Sequence, residues 1–183
     1  MNGKTALVVI DTQVGMFDTP GLPPVPNAER LLENVEALVR RAREAGVAVI
    51  HVRHGEGPGE PLERGTAGWE IHPRVTPKGG EPVVDKETPD SFLRTTLQEE
   101  LERRGIERLI LAGMQTEFCV DTTCRRSFGL GYGVTLAADA HGTWDTEHLT
   151  AAQVVAHHNE VMGSGFAEVV PTAEISFAGP VGA

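Results

Sequence analysis

Two rhythms of apolar and polar positions alternate along the chain, short β-branched runs and longer segments with helical spacing. Thr5 to Ile10, TALVVI, is a continuous apolar run stopped by Asp11, the pattern of a strand buried on both faces. A Pro/Gly stretch from Pro20 to Pro26 leads to Asn27, a good N-cap. Leu31, Leu32, Val35, Leu38, Val39 and Ala42 then recur at helical spacing, and Gly46 stands in the C′ place. Val47 to Val52 predicts a second strand, and Glu81 to Lys86 a short third one. Asp90 or Ser91 can cap a helix with Leu93, Leu97 and Leu101 on its inner face, ended by Gly105. Arg108 to Ala112, RLILA, is strand four. Thr116 can cap the next helix, which carries Val120, Cys124 and Phe128 at i, i+4 and i+8. Gly133 to Ala138 is strand five, Thr146 to Met162 a helix, and Ala167 to Val170 a short sixth strand. This alternation predicts βαβ units in an α/β, three-layer αβα architecture around a parallel, Rossmann-like sheet of six strands.

Length and charge narrow the function classes. The 183 residues suit one domain, 1–183, with a core that needs no disulfide or metal staple. Acidic residues outnumber basic ones 26 to 16, for a net charge of -10, which argues against nucleic acid or an anionic membrane as a partner. A cationic substrate is mildly favoured. Two cysteines are too few for a disulfide scaffold. No secretory apolar region opens the chain and no apolar stretch nears the ~20 residues that span a bilayer, so a soluble, cytoplasmic protein is expected. One segment breaks the rhythm: Arg53 to Pro82 is aperiodic and rich in Gly and Pro. Loops of that length are usually functional or disordered. It holds Trp69, which either pins a surface excursion to the core or belongs to a lid or pocket wall.

In open parallel α/β sheets, ligands bind at the carboxyl ends of the strands. Asp11 ends strand one, Lys86 ends strand three, and Cys119 opens the helix after strand four. Singly, each has an ordinary explanation as a turn cap, an edge charge or a small buried hydrophobe. Together they form a coherent device. A thiol in a first helical turn sits at the positive end of the helix dipole, and a nearby ammonium favours thiolate further. A carboxylate can take and return the proton, and backbone N–H groups at the helix start can hold an oxyanion. These are the parts of acyl transfer to a thiol.

With those residues in place, the chain resembles the isochorismatase-like cysteine hydrolases over nearly its whole length. The resemblance is carried by LVVIDTQ at Leu7 to Gln13, by VVDK at Val83 to Lys86 with Ser91–Phe92, and by the segment from Leu109 to Ala140. It implies a six-stranded parallel sheet flanked by helices, and a homodimer or larger homo-oligomer. It also implies Asp11 as general base, Lys86 as the triad lysine and Cys119 as the nucleophile. A non-proline cis peptide is implied at Met114–Gln115, with N–H groups near Gln115 and Cys119 converging as the oxyanion site. Nicotinamidases of the same superfamily hold a divalent metal with an Asp-x-His and a further His after strand two. Here that stretch reads His51-Val52-Arg53-His54-Gly55-Glu56, without the aspartate, so no metal and no cofactor are expected. The thiol favours an amide or lactam as the small-molecule substrate. The rivals are vinyl-ether hydrolysis using Asp11 and Lys86 alone, and an idle module that binds a small molecule or senses oxidants through Cys119.

Other residues rank lower. Cys124, ~8–9 Å from Cys119 along one helix, is beyond disulfide reach and reads as a core thiol. Gly129 to Gly133 follows a helix and precedes a strand, the wrong order for a dinucleotide loop. His157 and His158 read as surface or interface residues. Asp139 and His141 follow strand five, where capping is the simpler role, although His141 can touch substrate. Gln13, Phe17, Trp69 and Glu117 complete the candidate pocket.

Overall fold

The computed structural model describes residues 5–19 and 22–177; Met1 to Lys4 and Pro20, at the head of the Pro/Gly stretch, lie outside that range. Six strands form one sheet in the order β3-β2-β1-β4-β5-β6, and every neighbouring pair is parallel. The strands are β1 (Thr5–Ile10), β2 (Ala48–His54), β3 (Val83–Lys86), β4 (Arg108–Met114), β5 (Gly133–Gly142) and β6 (Glu168–Val170). The helices are α1 (Val14–Phe17), α2 (Ala28–Glu44), α3 (Leu97–Arg103), α4 (Asp121–Gly129) and α5 (Ala151–Gly163).

Alternation along β1 divides the interior into two cores. Ala6, Val8 and Ile10 face a cluster with Leu97, Leu101, Cys124 and Met162, so α3, α4 and α5 cover that side. Leu7 and Val9 face Leu31, Val35, Leu38 and Val39 of α2 on the other. Each such side chain contributes roughly 1.5–3 kcal/mol by leaving water. The three-layer expectation is met. After β3 the chain crosses to the far side of β1, so strand order reverses between β1 and β4. A crevice opens above such a reversal, at the carboxyl ends.

Gly113 makes the close approach there possible. Its φ is +124°, and a Cβ at that position would lie 1.9 Å from the Ile10 carbonyl oxygen. Only glycine fits.

Several boundaries differ from the sequence reading. β2, β4 and β5 run past Val52, Ala112 and Ala138, so Asp139 and His141 lie inside β5, and β3 starts at Val83. Polar residues such as Arg53, His54, Asp139 and His141 continue β2 and β5 without an apolar signature, and Gly113 interrupts that of β4. Asn27 takes a left-handed conformation and caps nothing with its side chain. Leu93 is exposed because residues before Leu97 turn instead of coiling, and Asp90 accepts the Phe92 N–H in an Asx turn. Phe128 is exposed as well. The last helix begins at Ala151, where Thr150 and Gln153 form a capping box, and the Thr146 hydroxyl serves a separate turn. Among the described residues no helix is long and apolar enough to cross a membrane.

Candidate active site

Asp11 leaves β1 with φ at +46°, a left-handed turn that aspartate tolerates, and its N–H donates to Val52 O at 3.0 Å. This turns the carboxylate away from the strand face and into the crevice. Lys86 closes β3, and its ammonium is buried to 1% exposure. Lys86 Nζ lies 2.7 Å from Asp11 Oδ2, and it donates to Cys119 Sγ at 3.1 Å. Beside Lys86, the Asp11 carboxylate faces the Cys119 thiol, and among the described residues its oxygens meet the geometric criteria of no other hydrogen bond. Three residues separated by 75 and 33 positions in sequence thus meet at one ammonium.

The segment that carries Cys119 is irregular. The peptide bond Met114–Gln115 is cis. Thr116–Val120 forms a π-helical turn before α4, and Cys119 lies within it, buried. Thr116 does not cap this turn. Its hydroxyl belongs to a chain of bonds from β5 and α5, whose donors can be assigned in order. Asn159 Nδ2 donates to Ala138 O at 2.9 Å, so Asn159 Oδ1 faces His141 and accepts from Nε2–H at 2.9 Å. His141 Nδ1 is then bare and accepts from Thr116 Oγ1 at 2.9 Å.

Electrostatics revise one expectation. Burial, reinforced by the neighbouring Asp11 carboxylate, pushes the Cys119 thiol up to about 12, although Lys86 opposes the shift. The helix end and Lys86 therefore do not produce a thiolate at rest. The sulfur keeps its proton until a base takes it. Burial would lower Lys86, but Asp11 and then Cys119 outweigh it, so the lysine is raised and stays charged. A buried charge of this kind persists only when paired.

The family model of the isochorismatase domain matches residues 5–174. The chain belongs to the isochorismatase family. It is 39% identical over 140 residues to a streptothricin hydrolase of Streptomyces noursei, covering 76% of this chain but 50% of the relative. The chain therefore spans about half the length of that protein. It is also 39% identical over 152 residues to the secreted isochorismatase effector Isc1 of Verticillium dahliae, covering 82% and 79%. A ureidoacrylate amidohydrolase, RutB, of Pseudomonas syringae is 30% identical over 175 residues, covering 76% and 71%. The crystal structure of an isochorismatase from Pseudomonas putida superposes with a TM-score of 0.88 at 31% identity, covering 96% of this chain and 91% of that one.

The remaining residues of this isochorismatase-family chain fall into place around the centre. Gln115 lines a cleft of about 380 Å³ with Met16, Leu22, Glu56, Leu62 and Trp144. Gln13 is not free to bind substrate. Its amide donates to His54 O and Trp69 O, both at 2.9 Å, and its oxygen accepts from His54 N at 2.8 Å. It clamps the long loop to the end of β2. Phe17 packs edge-on against His72, with ring centroids 5.4 Å apart. The Arg53 guanidinium lies 3.3 Å over the Trp69 ring, which makes Trp69 the pin of the loop. Glu117 Oε1 accepts from Thr143 at 2.7 Å, while its Oε2 is buried with no hydrogen-bond partner among the described residues. His141 spends both nitrogens on the Thr116–Asn159 chain and so braces the turn that carries Cys119.

The histidines after β2 do not fit a metal. His51 Nε2 turns to Glu81 at 3.2 Å, and His54 Nδ1 faces the Lys86 ammonium at 3.1 Å. Among the described residues no group of three His, Cys, Asp or Glu side chains could hold a metal ion. The sequence reading gave Thr116 only a capping role, weighed His54 only as a metal ligand and left Asn159 unnamed. The parallel register that sets His54 beside Lys86 was the one signal available for His54.

Proposed function

We propose that this hydrolase cleaves a C–N bond, in an amide or lactam of a small molecule, through a thioester on Cys119. The observation that carries the reading is the buried ammonium of Lys86, 2.7 Å from a carboxylate and 3.1 Å from a thiol. The relatives named as a streptothricin hydrolase and an amidohydrolase support the bond type.

Because the thiol is protonated at rest, attack is coupled to transfer of its proton to Asp11. The sulfur bonds to the carbonyl carbon, and the electron pair of the C=O bond moves to oxygen. N–H groups of Gln115 and Cys119 would hold that oxyanion, each such donor being worth about 2.7–4 kcal/mol. The C–N bond then breaks and Asp11 returns the proton to the leaving amine. Water, deprotonated by the same carboxylate, attacks the thioester, and the C–S bond breaks to free the acid and the thiol. Lys86 keeps Asp11 ionised and steadies charge on sulfur throughout.

Vinyl-ether hydrolysis by Asp11 and Lys86 alone would leave the Lys86–Cys119 contact without a use. A turnover screen separates the two, reading ammonia from primary amides and nicotinamide and the ring-opened amino acid from lactams: turnover should vanish in Cys119→Ala, and full activity in that variant would rule the thioester route out. The reading further has the enzyme act in the cytoplasm as a homodimer or larger homo-oligomer. Phe118, beside the nucleophile and 51% exposed, is an apolar side chain such an assembly would cover. Sedimentation velocity tests the assembly.

A further inference from the structure

An ammonium has three N–H donors and no acceptor. Lys86 Nζ is too buried for water to serve it, yet it has three acceptors at hand: Asp11 Oδ2 at 2.7 Å, Cys119 Sγ at 3.1 Å and His54 Nδ1 at 3.1 Å. Two of these belong to the reacting set. We propose that His54 is a positioning residue of the catalytic centre, whose unprotonated Nδ1 takes the third N–H of Lys86 and fixes the ammonium between Asp11 and Cys119. The inference rests on reading Asp11, Lys86 and Cys119 as the reacting groups.

The backbone prepares this contact. Parallel pairing of β2 with β3 sets His54 opposite Lys86. Gln13 grips both the N–H and the carbonyl of His54, so the turn that carries Asp11 also holds the histidine. A hydrogen on Nδ1 would oppose donor to donor in a half-buried space, so the ring must be the Nε2–H tautomer. The charged groups facing His54 are Lys86, Asp11, Glu56 and Arg64. Burial, and then Lys86, outweigh the two carboxylates and keep the ring neutral. With one acceptor removed, the ammonium has a free N–H and can swing toward Asp11, loosening its hold on the sulfur. Protonation of His54 at low pH does the same by turning an acceptor into a cation.

Two substitutions separate positioning from packing. His54→Asn places a carbonyl oxygen near the Nδ1 position and cannot protonate; His54→Leu fills the space without an acceptor. The probe is p-nitrophenyl acetate, which acetylates Cys119 Sγ and releases p-nitrophenolate while the thiol proton passes to Asp11. His54→Leu should lower the maximal acylation rate ~10–100-fold, the value of one hydrogen bond to a buried charge, and leave KM unchanged. His54→Asn should restore most of the rate and move the acidic limb of the pH profile to lower pH. Side-chain nitrogen resonances read the contact whether or not the ester reacts. They should show His54 as the Nε2–H tautomer, with the Nδ1 signal moving in Lys86→Met. Wild-type acylation and an unmoved acidic limb in His54→Leu, or a His54 carrying its hydrogen on Nδ1, would overturn the proposal. Normal acylation in Asp11→Asn and Lys86→Met would instead remove the catalytic reading beneath it.

Discussion

Replacing Lys86 with methionine deletes the charge that compensates Asp11 while keeping much of the side-chain volume. Both partners are fully buried, 2.7 Å apart, and the Cys119 thiol beside Asp11 carries no positive charge to replace the ammonium. Removing one member of such a pair strands the other and costs about 3–5 kcal/mol. For a chain of this size about 1 kcal/mol moves the melting temperature by ~2–4 °C, so a fall of ~6–20 °C is expected. The double variant Asp11→Leu with Lys86→Met removes both charges, and exchange of a whole buried pair for apolar groups is often neutral or stabilising. The assay is a double-mutant cycle by urea unfolding at neutral pH, with the melting temperature as a second readout. The double variant should be more stable than Lys86→Met alone, a coupling of several kcal/mol. Additive losses, or a Lys86→Met loss below about 1 kcal/mol, would show that Asp11 and Lys86 do not depend on one another and would refute the buried-pair reasoning.

Three further outcomes are expected. Iodoacetamide should label Cys119 before Cys124, since both thiols are held at about 12 but Cys124 is wholly enclosed while Cys119 keeps 7% exposure; peptide mapping with Cys124 labelled first would contradict this. Burial pushes His141 down to about 4, so its neutral form contributes stability above the unfolded value near 6.5 that is lost as pH falls toward 4. Urea midpoints should drop across that window in the wild type and less in His141→Gln; equal slopes would show that His141 protonates without cost. Chelation by EDTA should leave turnover unchanged, and activity lost to EDTA but restored by zinc or manganese would mean that His51 and His54 bind metal after all.

The fold was legible because β1 and the inner face of α2 announce themselves in apolar spacing. Thr5–Ile10 matches its observed bounds, and all six α2 positions are buried. The three polar residues Asp11, Lys86 and Cys119 were legible because strand ends are where parallel sheets place their chemistry. What stayed hidden lies across long sequence separations. His54 meets Lys86 through strand pairing, and Asn159 reaches Thr116 only through His141. Nor does one dimension show that the Gln13 amide clamps backbone or that the Trp69 indole stacks on Arg53. The thiol's proton was misjudged for a related reason. Helix placement and a nearby lysine are visible in sequence, but burial, the largest influence on Cys119, is not.

The central claim is that Cys119 carries the acyl group, and a rapid quench of enzyme with a turned-over amide, followed by mass analysis of its peptides, tests it most directly. The acyl mass should appear on the Cys119 peptide, be lost to hydroxylamine, and be absent in Cys119→Ala together with turnover. Steady turnover by Cys119→Ala, or an acyl group found on any other residue, would contradict the account.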